Sequence, residues 1–144
     1  MTKRKVAVLV TAGALALIGA ACGDGEEGGG GGGNTVNVEL KDMSLTPDVS
    51  SVGAGSVSFV ADNTGPSEHE VVVLKTDLAP DALSVEGGKV DEGASGIELI
   101  GEIEEFAAGA QESVTFDLTA GAYVLICNIP GHYEAGMTAP LEVG

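Results

Sequence analysis

The stretch at residues 123–137, YVLICNIPGHYEAGM, decides how this 144-residue chain is interpreted. Its first four residues form an apolar run that is typical of a buried β-strand. The loop that follows carries one Cys, one His and one Met at equal spacing, as Cys127, His132 and Met137. The whole chain has only two Cys, two His and three Met. This concentration of sulfur and imidazole donors indicates a metal site at the end of a strand.

Strand-like patterns extend through most of the chain outside this stretch. Several segments alternate apolar and polar residues, and Gly-rich turns separate them. Strands are predicted at residues 35–40, 56–62, 69–75, 97–103, 112–118, 122–128 and 139–143. Such regularly spaced strands predict an all-β fold, an antiparallel or mixed β-sandwich. Residues 76–96 lack alternation, and we expect an irregular connection between the two sheets there, with a short helical turn near 80–85.

The beginning of the chain has the composition of an export signal, with basic residues before an apolar run at 6–21. The small residues before Cys22 resemble a bacterial lipoprotein signal, in which that Cys is lipidated. We expect a signal peptide at 1–21, a Gly-rich flexible tether at 22–35 and one folded domain at 36–144. An ordinary signal cut near residue 20 or 21, with Cys22 left as a free thiol, and an uncleaved anchor are the alternatives.

The charge of the chain is strongly acidic, with 6 Lys and Arg against 22 Asp and Glu. Without the predicted signal, three Lys remain and the balance is 3 − 22 = −19. Such a surface excludes binding of nucleic acid or anionic lipid through the domain. It favours a basic protein partner, or it serves solubility alone.

The candidate metal site needs a second imidazole, and the only other His in the chain is His69, at the start of a predicted buried strand. One Cys and two His with a weak axial Met form the trigonal donor set of a metal that exchanges one electron. Glu134 is an alternative fourth ligand, and a Cys-His₂-carboxylate set would suit zinc. Taken singly, each residue also fits a structural role, because lone Cys and Met are common core residues.

The domain resembles the cupredoxins, the blue-copper electron carriers that include azurin, plastocyanin, auracyanin and rusticyanin. The resemblance rests on the upstream His69, the Y-x3-C strand end at 123–127, the C-x4-H-x4-M loop and the final strand. It implies a Greek-key β-sandwich with one type 1 copper per chain. The ligands that it implies are His69, Cys127, His132 and Met137.

The residue after the first His departs from the family pattern, since Glu70 stands where members often have Asn. The resemblance implies that the backbone N–H of Glu70 still donates to the Cys127 sulfur. The brace that an Asn side chain provides is expected to be absent.

The function implied by the resemblance is one-electron transfer, without enzymatic activity, because catalytic proteins of this fold need further His ligands. A lipid on Cys22 would hold the carrier at the outer face of the plasma membrane. We expect a redox protein with a basic docking face as the partner. A collar for docking around His132 is predicted from Ile129, Pro130, Ala135, Ala139 and Pro140. A lipoprotein that buffers or delivers copper, and a copper-free binding module, are the alternatives.

Overall fold

A computed structural model describes residues 34–144, which contain β-strands and no helix. The strands are β1 (Asn34–Lys41), β2 (Ser44–Pro47), β3 (Ser51–Val52), β4 (Gly55–Asn63), β5 (His69–Lys75), β6 (Val85–Glu86), β7 (Lys89–Val90), β8 (Glu98–Phe106), β9 (Gln111–Leu118), β10 (Gly121–Ile126) and β11 (Thr138–Val143). The predicted signal peptide, Cys22 and nearly all of the predicted tether lie outside the described residues. Within residues 34–144, no helix has the length and hydrophobicity needed to cross a membrane.

The strands form two main sheets and a small hairpin. The four-stranded sheet has the order β2-β1-β4-β9, and the five-stranded sheet has the order β3-β11-β10-β5-β8. Strands β6 and β7 pair only with each other. Most pairs are antiparallel, whereas β1 runs parallel to β4 and β3 runs parallel to β11. The prediction of an all-β sandwich is therefore confirmed, and the sheets are mixed.

The main core lies between the facing sides of the two sheets. Alternate residues of β1 and β4 point into it, as the period-two pattern predicts. On these two strands the buried apolar residues are Val36, Val38, Leu40, Val57, Phe59 and Ala61. The opposite wall comes from β5, β10 and β11, which contribute Val71, Val73, Tyr123, Leu125 and Leu141. Each fully buried Val or Leu contributes about 1.5–3 kcal/mol to folding.

The central strands of the larger sheet are buried on both faces, which explains why their sequences do not alternate. Val72 and Leu74 of β5 lie with Val124 and Ile126 of β10 in a second apolar cluster on the outer face. That cluster is covered by Leu83, Val90 and Tyr133. Apolar side chains of the long connection and of the loop after β10 thus exclude water from the outer face.

The prediction for residues 76–96 was wrong about the connection. The segment does not connect the two sheets, because it joins β5 to β8, which are neighbours in one sheet. Near the predicted helical turn at 80–85, residues 79–82 form a single hydrogen-bonded turn, in which the N–H of Ala82 donates to the carbonyl of Ala79 at 2.9 Å, and β6 and β7 then make a hairpin. Gly87 and Gly88 link its strands with φ of 61° and 83°. Positive φ at both central residues is what a tight hairpin turn of this kind requires, so the Gly-Gly pair was a usable sequence signal.

The arrangement of β5 and β10 positions the site. The two strands are antiparallel neighbours, with Ile126 opposite Val72. The start of β5 therefore lies beside the end of β10, at one edge of the sandwich. His69 is the first residue of β5, and Cys127 directly follows β10.

Candidate metal centre

Three of the predicted site residues converge at this edge. One ligating atom from each of His69, Cys127 and His132 lies within 4.8 Å of the other two. The Sγ of Cys127 is 3.3 Å from Nδ1 of His132 and 3.9 Å from Nδ1 of His69. The two imidazole rings stand edge to face, with their centroids 5.2 Å apart. Among residues 34–144, this is the one group of three or more His, Cys, Asp or Glu that could hold a metal ion.

The fourth predicted residue, Met137, lies at the base of the same loop. Its side chain is fully buried, and its backbone carbonyl accepts a hydrogen bond of 3.0 Å from the N–H of Cys127. Its own N–H donates to the carbonyl of His132 at 3.1 Å. Gly131 has a φ of 85°, which allows the turn that brings His132 back beside the sulfur. The structure thus has the predicted His-Cys-His-Met arrangement.

The sulfur of Cys127 is fully buried and accepts a hydrogen bond of 3.5 Å from the backbone N–H of Glu70, as the resemblance implies. Burial raises the pKa of the Cys127 thiol above its usual value, and the backbone N–H groups of Glu70 and Ile129 act in the opposite direction. A metal must displace the thiol proton, so these donors help to hold the thiolate form.

Glu70 contacts the loop through its backbone N–H, which donates to the Cys127 sulfur. Its side chain is buried, and this burial raises the pKa of the carboxyl, with Lys89 acting in the opposite direction. The absence of the brace that an Asn side chain provides stays a prediction.

Asn128 is a supporting residue that the sequence interpretation missed. Its Oδ1 accepts from the N–H of Val90 at 2.6 Å, and its Nδ2 donates to the carbonyl of Val90 at 3.1 Å. The same Nδ2 donates to Glu92 at 2.7 Å. The N–H of Gly131 also donates to the carbonyl of Gly88, at 2.8 Å. The β6–β7 hairpin thus clamps the loop that carries three of the four predicted ligands.

The ring of His69 is fully buried, and its second nitrogen has a partner that the sequence also did not reveal. Nε2 lies 3.0 Å from Oδ1 of Asp42, in the turn between β1 and β2. A hydrogen bond from the Ser67 hydroxyl is the largest cause that lowers the pKa of the Asp42 carboxyl below its usual value. No pattern near Asp42 distinguishes it from the other acidic residues of the chain.

His132 is the more accessible of the two imidazoles, since its ring is only partly buried. Desolvation lowers its pKa from the usual value, and the neighbouring His69 lowers it further. A neutral ring with a free nitrogen lone pair is the form that binds metal. The arrangement therefore offers two imidazoles and one thiol to a single ion.

The surroundings of His132 match the predicted collar in part. Pro130 and Ala135 are exposed and Ile129 is half-buried, whereas Ala139 lies in the buried core. Ala139 is therefore not a member of the surface collar, because its β11 side chain faces the sandwich interior. Glu134, the alternative ligand for zinc, is exposed and is not part of the group of clustered donors.

Comparisons with known proteins place this geometry in context. Residues 33–144 match the family described as "Copper binding proteins, plastocyanin/azurin family". The copper-resistant cuproprotein CopI of Rubrivivax gelatinosus is 34% identical over 117 residues, which cover 76% of this chain. The chain spans only 66% of the length of that relative.

Two solved structures are similar in fold. The dithionite-reduced auracyanin of Roseiflexus castenholzii is 21% identical with a TM-score of 0.57, and the match covers 77% of this chain and 97% of auracyanin. An azurin of Methylomonas sp. strain J is 20% identical with a TM-score of 0.56, over 77% of this chain and 98% of the azurin. At these identities the likeness shows the fold alone.

Proposed function

Since the chain belongs to the plastocyanin/azurin family of copper-binding proteins, we propose that it is a one-electron carrier with a single type 1 copper site. The proposed ligands are His69, Cys127, His132 and Met137. The observation that supports the proposal most directly is the convergence of one thiol and two imidazoles within 4.8 Å at a buried edge of the sandwich.

The donor set fits copper better than zinc. A thiolate and two imidazoles with a weak thioether suit an ion that changes between a softer and a harder state. Met137 is fully buried at the loop base, whereas Glu134 is exposed, so the hard oxygen donor that zinc would use lies outside the cluster. When bound, copper supplies a one-electron couple between Cu(II) and Cu(I).

The positions of the side chains suit electron transfer. His69, Cys127 and Met137 are fully buried, so the donor set is held by the packed core. His132 is partly exposed and brings one imidazole edge towards the surface, next to the exposed Pro130 and Ala135. A small apolar surface of this kind supports weak, transient docking.

Enzymatic activity is not part of the proposal. The chain has two His, and both belong to the single candidate site. No imidazole remains for a second copper centre. Because the other ligands are buried, a substrate could reach the site only at the edge of His132.

The proposed partner is a redox protein with a basic docking face. A groove of about 370 Å³ lies between β8 and β9, and its lining includes Glu102, Glu104, Glu105 and Glu112. Glu105 is close enough to the site to influence the pKa values of Cys127 and His132. An acidic surface that includes Glu105 would steer a basic partner towards the site, and salt would weaken the association.

The proposed location is the outer face of the plasma membrane. The observation behind it is the sequence at Cys22, with small residues before the Cys and a Gly-rich segment after it. A lipid on Cys22 would keep the carrier near membrane-bound redox partners and raise its effective concentration there. Mass spectrometry of the exported protein would detect the lipid; an unmodified Cys22 thiol would contradict this part of the proposal.

The experiment that tests the site is titration of the full chain with Cu(II), followed by visible absorption and EPR. We expect saturation at one copper per chain and an intense thiolate-to-copper band. That band should be lost in Cys127→Ser, which keeps the size of the side chain but removes the thiolate. A band that survives Cys127→Ser, or no binding by the wild type, would contradict the proposal.

Copper handling is a second candidate function, and the name of the CopI relative favours it. A protein that buffers or delivers copper must exchange the ion readily. A carrier should retain copper against competing chelators and give a reversible one-electron wave in voltammetry. Rapid loss of Cu(I) to a chelator without such a wave would favour copper handling.

A further inference from the structure

The ring of His69 is held from both of its nitrogens. Nδ1 faces the Cys127 sulfur at 3.9 Å, and Nε2 faces Oδ1 of Asp42 at 3.0 Å. A carboxylate can only accept a hydrogen bond, so Nε2 must carry the proton in this contact. The lone pair is then on Nδ1, the nitrogen that points to the candidate metal site. The contact with Asp42 thus selects the tautomer that can bind metal.

Asp42 is itself fixed by Ser67. Its Oδ2 accepts from the Ser67 hydroxyl at 2.6 Å, and its Oδ1 accepts from the Ser67 N–H at 3.3 Å. Ser67 is anchored in turn, because the buried Asn63 donates from Nδ2 to its carbonyl at 2.9 Å. The carboxylate therefore cannot turn away from His69 without breaking several hydrogen bonds.

The turn before β5 lies tightly against Asp42. A Cβ at Gly65 would come within 2.9 Å of the Asp42 backbone nitrogen, so a side chain there would push the two segments apart. This close approach holds the turn that leads into β5 against the β1–β2 turn. The hydrogen bond from Asp42 to His69, the first residue of β5, spans both sheets of the sandwich.

We propose that Asp42 is a positioning residue of the metal site, which fixes the tautomer and orientation of His69 and strengthens its Nδ1 as a donor. The proposal rests on the proposed function, in which His69 is a copper ligand. A carboxylate partner makes an imidazole more basic, and outer partners of this kind typically change metal affinity by about 10–100-fold. A more basic imidazole favours Cu(II) over Cu(I), so Asp42 lowers the reduction potential.

The two imidazoles differ in this respect. The ring of His132 has a hydrogen-bond contact with the Cys127 sulfur and a ring contact with His69. Asp42 is hydrogen-bonded to His69, whereas it acts on His132 only through its charge. The substitution Asp42→Asn should change the NMR signals of His69 much more than those of His132.

The test compares three variants in the full chain loaded with copper. Asp42→Asn keeps the shape of the side chain and removes its charge, and Ser67→Ala loosens the carboxylate without touching His69. Asp48→Asn is the matched control. Asp48 is also held by a neighbouring side chain, Asn37, and it makes no hydrogen bond to His69. The readouts are the reduction potential and the ¹⁵N–¹H signal of His69 Nε2 in the diamagnetic Cu(I) form.

We expect Asp42→Asn to favour Cu(I) over Cu(II) by about tenfold, which corresponds to about 59 mV for a one-electron couple. Ser67→Ala should shift the potential in the same direction by less, and Asp48→Asn should leave it unchanged. The Nε2–H signal should exchange faster with water in Asp42→Asn than in the wild type. A potential and an Nε2–H exchange rate that are both unchanged in Asp42→Asn would overturn the role of Asp42.

The metal-free chain separates this proposal from the proposed function. Its His69 should already show the Nε2–H tautomer, because the contact with Asp42 needs no metal. If the wild type binds no copper, the proposed function fails whatever the tautomer. If it binds copper but His69 carries its proton on Nδ1 in the metal-free chain, only the role of Asp42 is overturned.

Discussion

The start of β5 and the loop at residues 127–137 build the two halves of the site by different means. His69 is fully buried and is fixed by side chains that belong to both sheets. The loop is held from outside, through Asn128 and Gly131, by a hairpin that lies beyond the main core. One half thus depends on the interior of the sandwich, and the other depends on a peripheral clamp.

This difference separates two tasks. The strand half keeps one imidazole away from water and immobile, which limits rearrangement when the charge of a bound ion changes. The loop half brings a second imidazole to the surface while it keeps the sulfur and the thioether buried. A rigid interior ligand and an accessible outer ligand are both needed for the proposed exchange of electrons with a partner.

The largest expected effect comes from removal of each imidazole. His69→Gly and His132→Gly should both lose the native thiolate-to-copper band. Added imidazole should restore it in His132→Gly at a concentration about tenfold lower than in His69→Gly, since entry at the buried position disturbs packing. Absorption titration with imidazole measures this difference. Equal rescue of the two variants would show that the two halves are equally accessible.

Loss of the clamp should have the next largest effect, and it acts on stability. Asn128→Ala leaves the N–H and carbonyl of Val90 without their partners. We expect a loss of about 2–6 kcal/mol in the free energy of unfolding, from two buried groups at about 1–3 kcal/mol each. Urea denaturation of the metal-free chain measures it. Glu92→Gln keeps an acceptor for Asn128 and is the control. A loss of unfolding free energy in Asn128→Ala that is no larger than in Glu92→Gln would refute the clamp.

A smaller effect is expected from the charge of Glu70, where the two halves meet. Glu70→Gln keeps the size of the side chain but removes a buried negative charge. Cu(II) then loses more stabilisation than Cu(I), so the reduction potential should rise by about 40 mV, equivalent to about 1 kcal/mol. Voltammetry provides the measurement, with the exposed Glu104→Gln as the control. A larger shift in the control would mean that surface charge governs the potential.

The smallest effect should be seen away from both halves, at Asp48. Hydrogen bonds from Asn37 are the main cause that lowers the pKa of its carboxyl below the usual 3.8. A lowered pKa stabilises the folded state at higher pH, and this contribution fades as the pH falls below that usual value. The carboxyl is exposed, so the contribution is at most about 1 kcal/mol. Asp48→Asn should remove this part of the acid dependence in denaturation curves and leave the copper band unaltered.

The sequence by itself determined the fold class and the identity of the four predicted ligands. Period-two alternation marked β1, β4 and β9, and an uninterrupted apolar run marked the doubly buried β10. The equal spacing of Cys127, His132 and Met137 was informative because such donors are rare in this chain. These features are local, so a pattern along the chain is sufficient to recognise them.

Only the tertiary structure decided what surrounds those ligands. Asp42 is one of 22 acidic residues, and nothing near it in the chain indicates that it lies 3.0 Å from an imidazole 27 positions away. Asn128 likewise acquires its role from a hairpin that the sequence interpretation had taken as an irregular connection. Hydrogen bonds between distant residues depend on sheet order and register. An amphipathic pattern predicts which face of a strand a residue occupies, but it does not predict which residue lies next to it on that face.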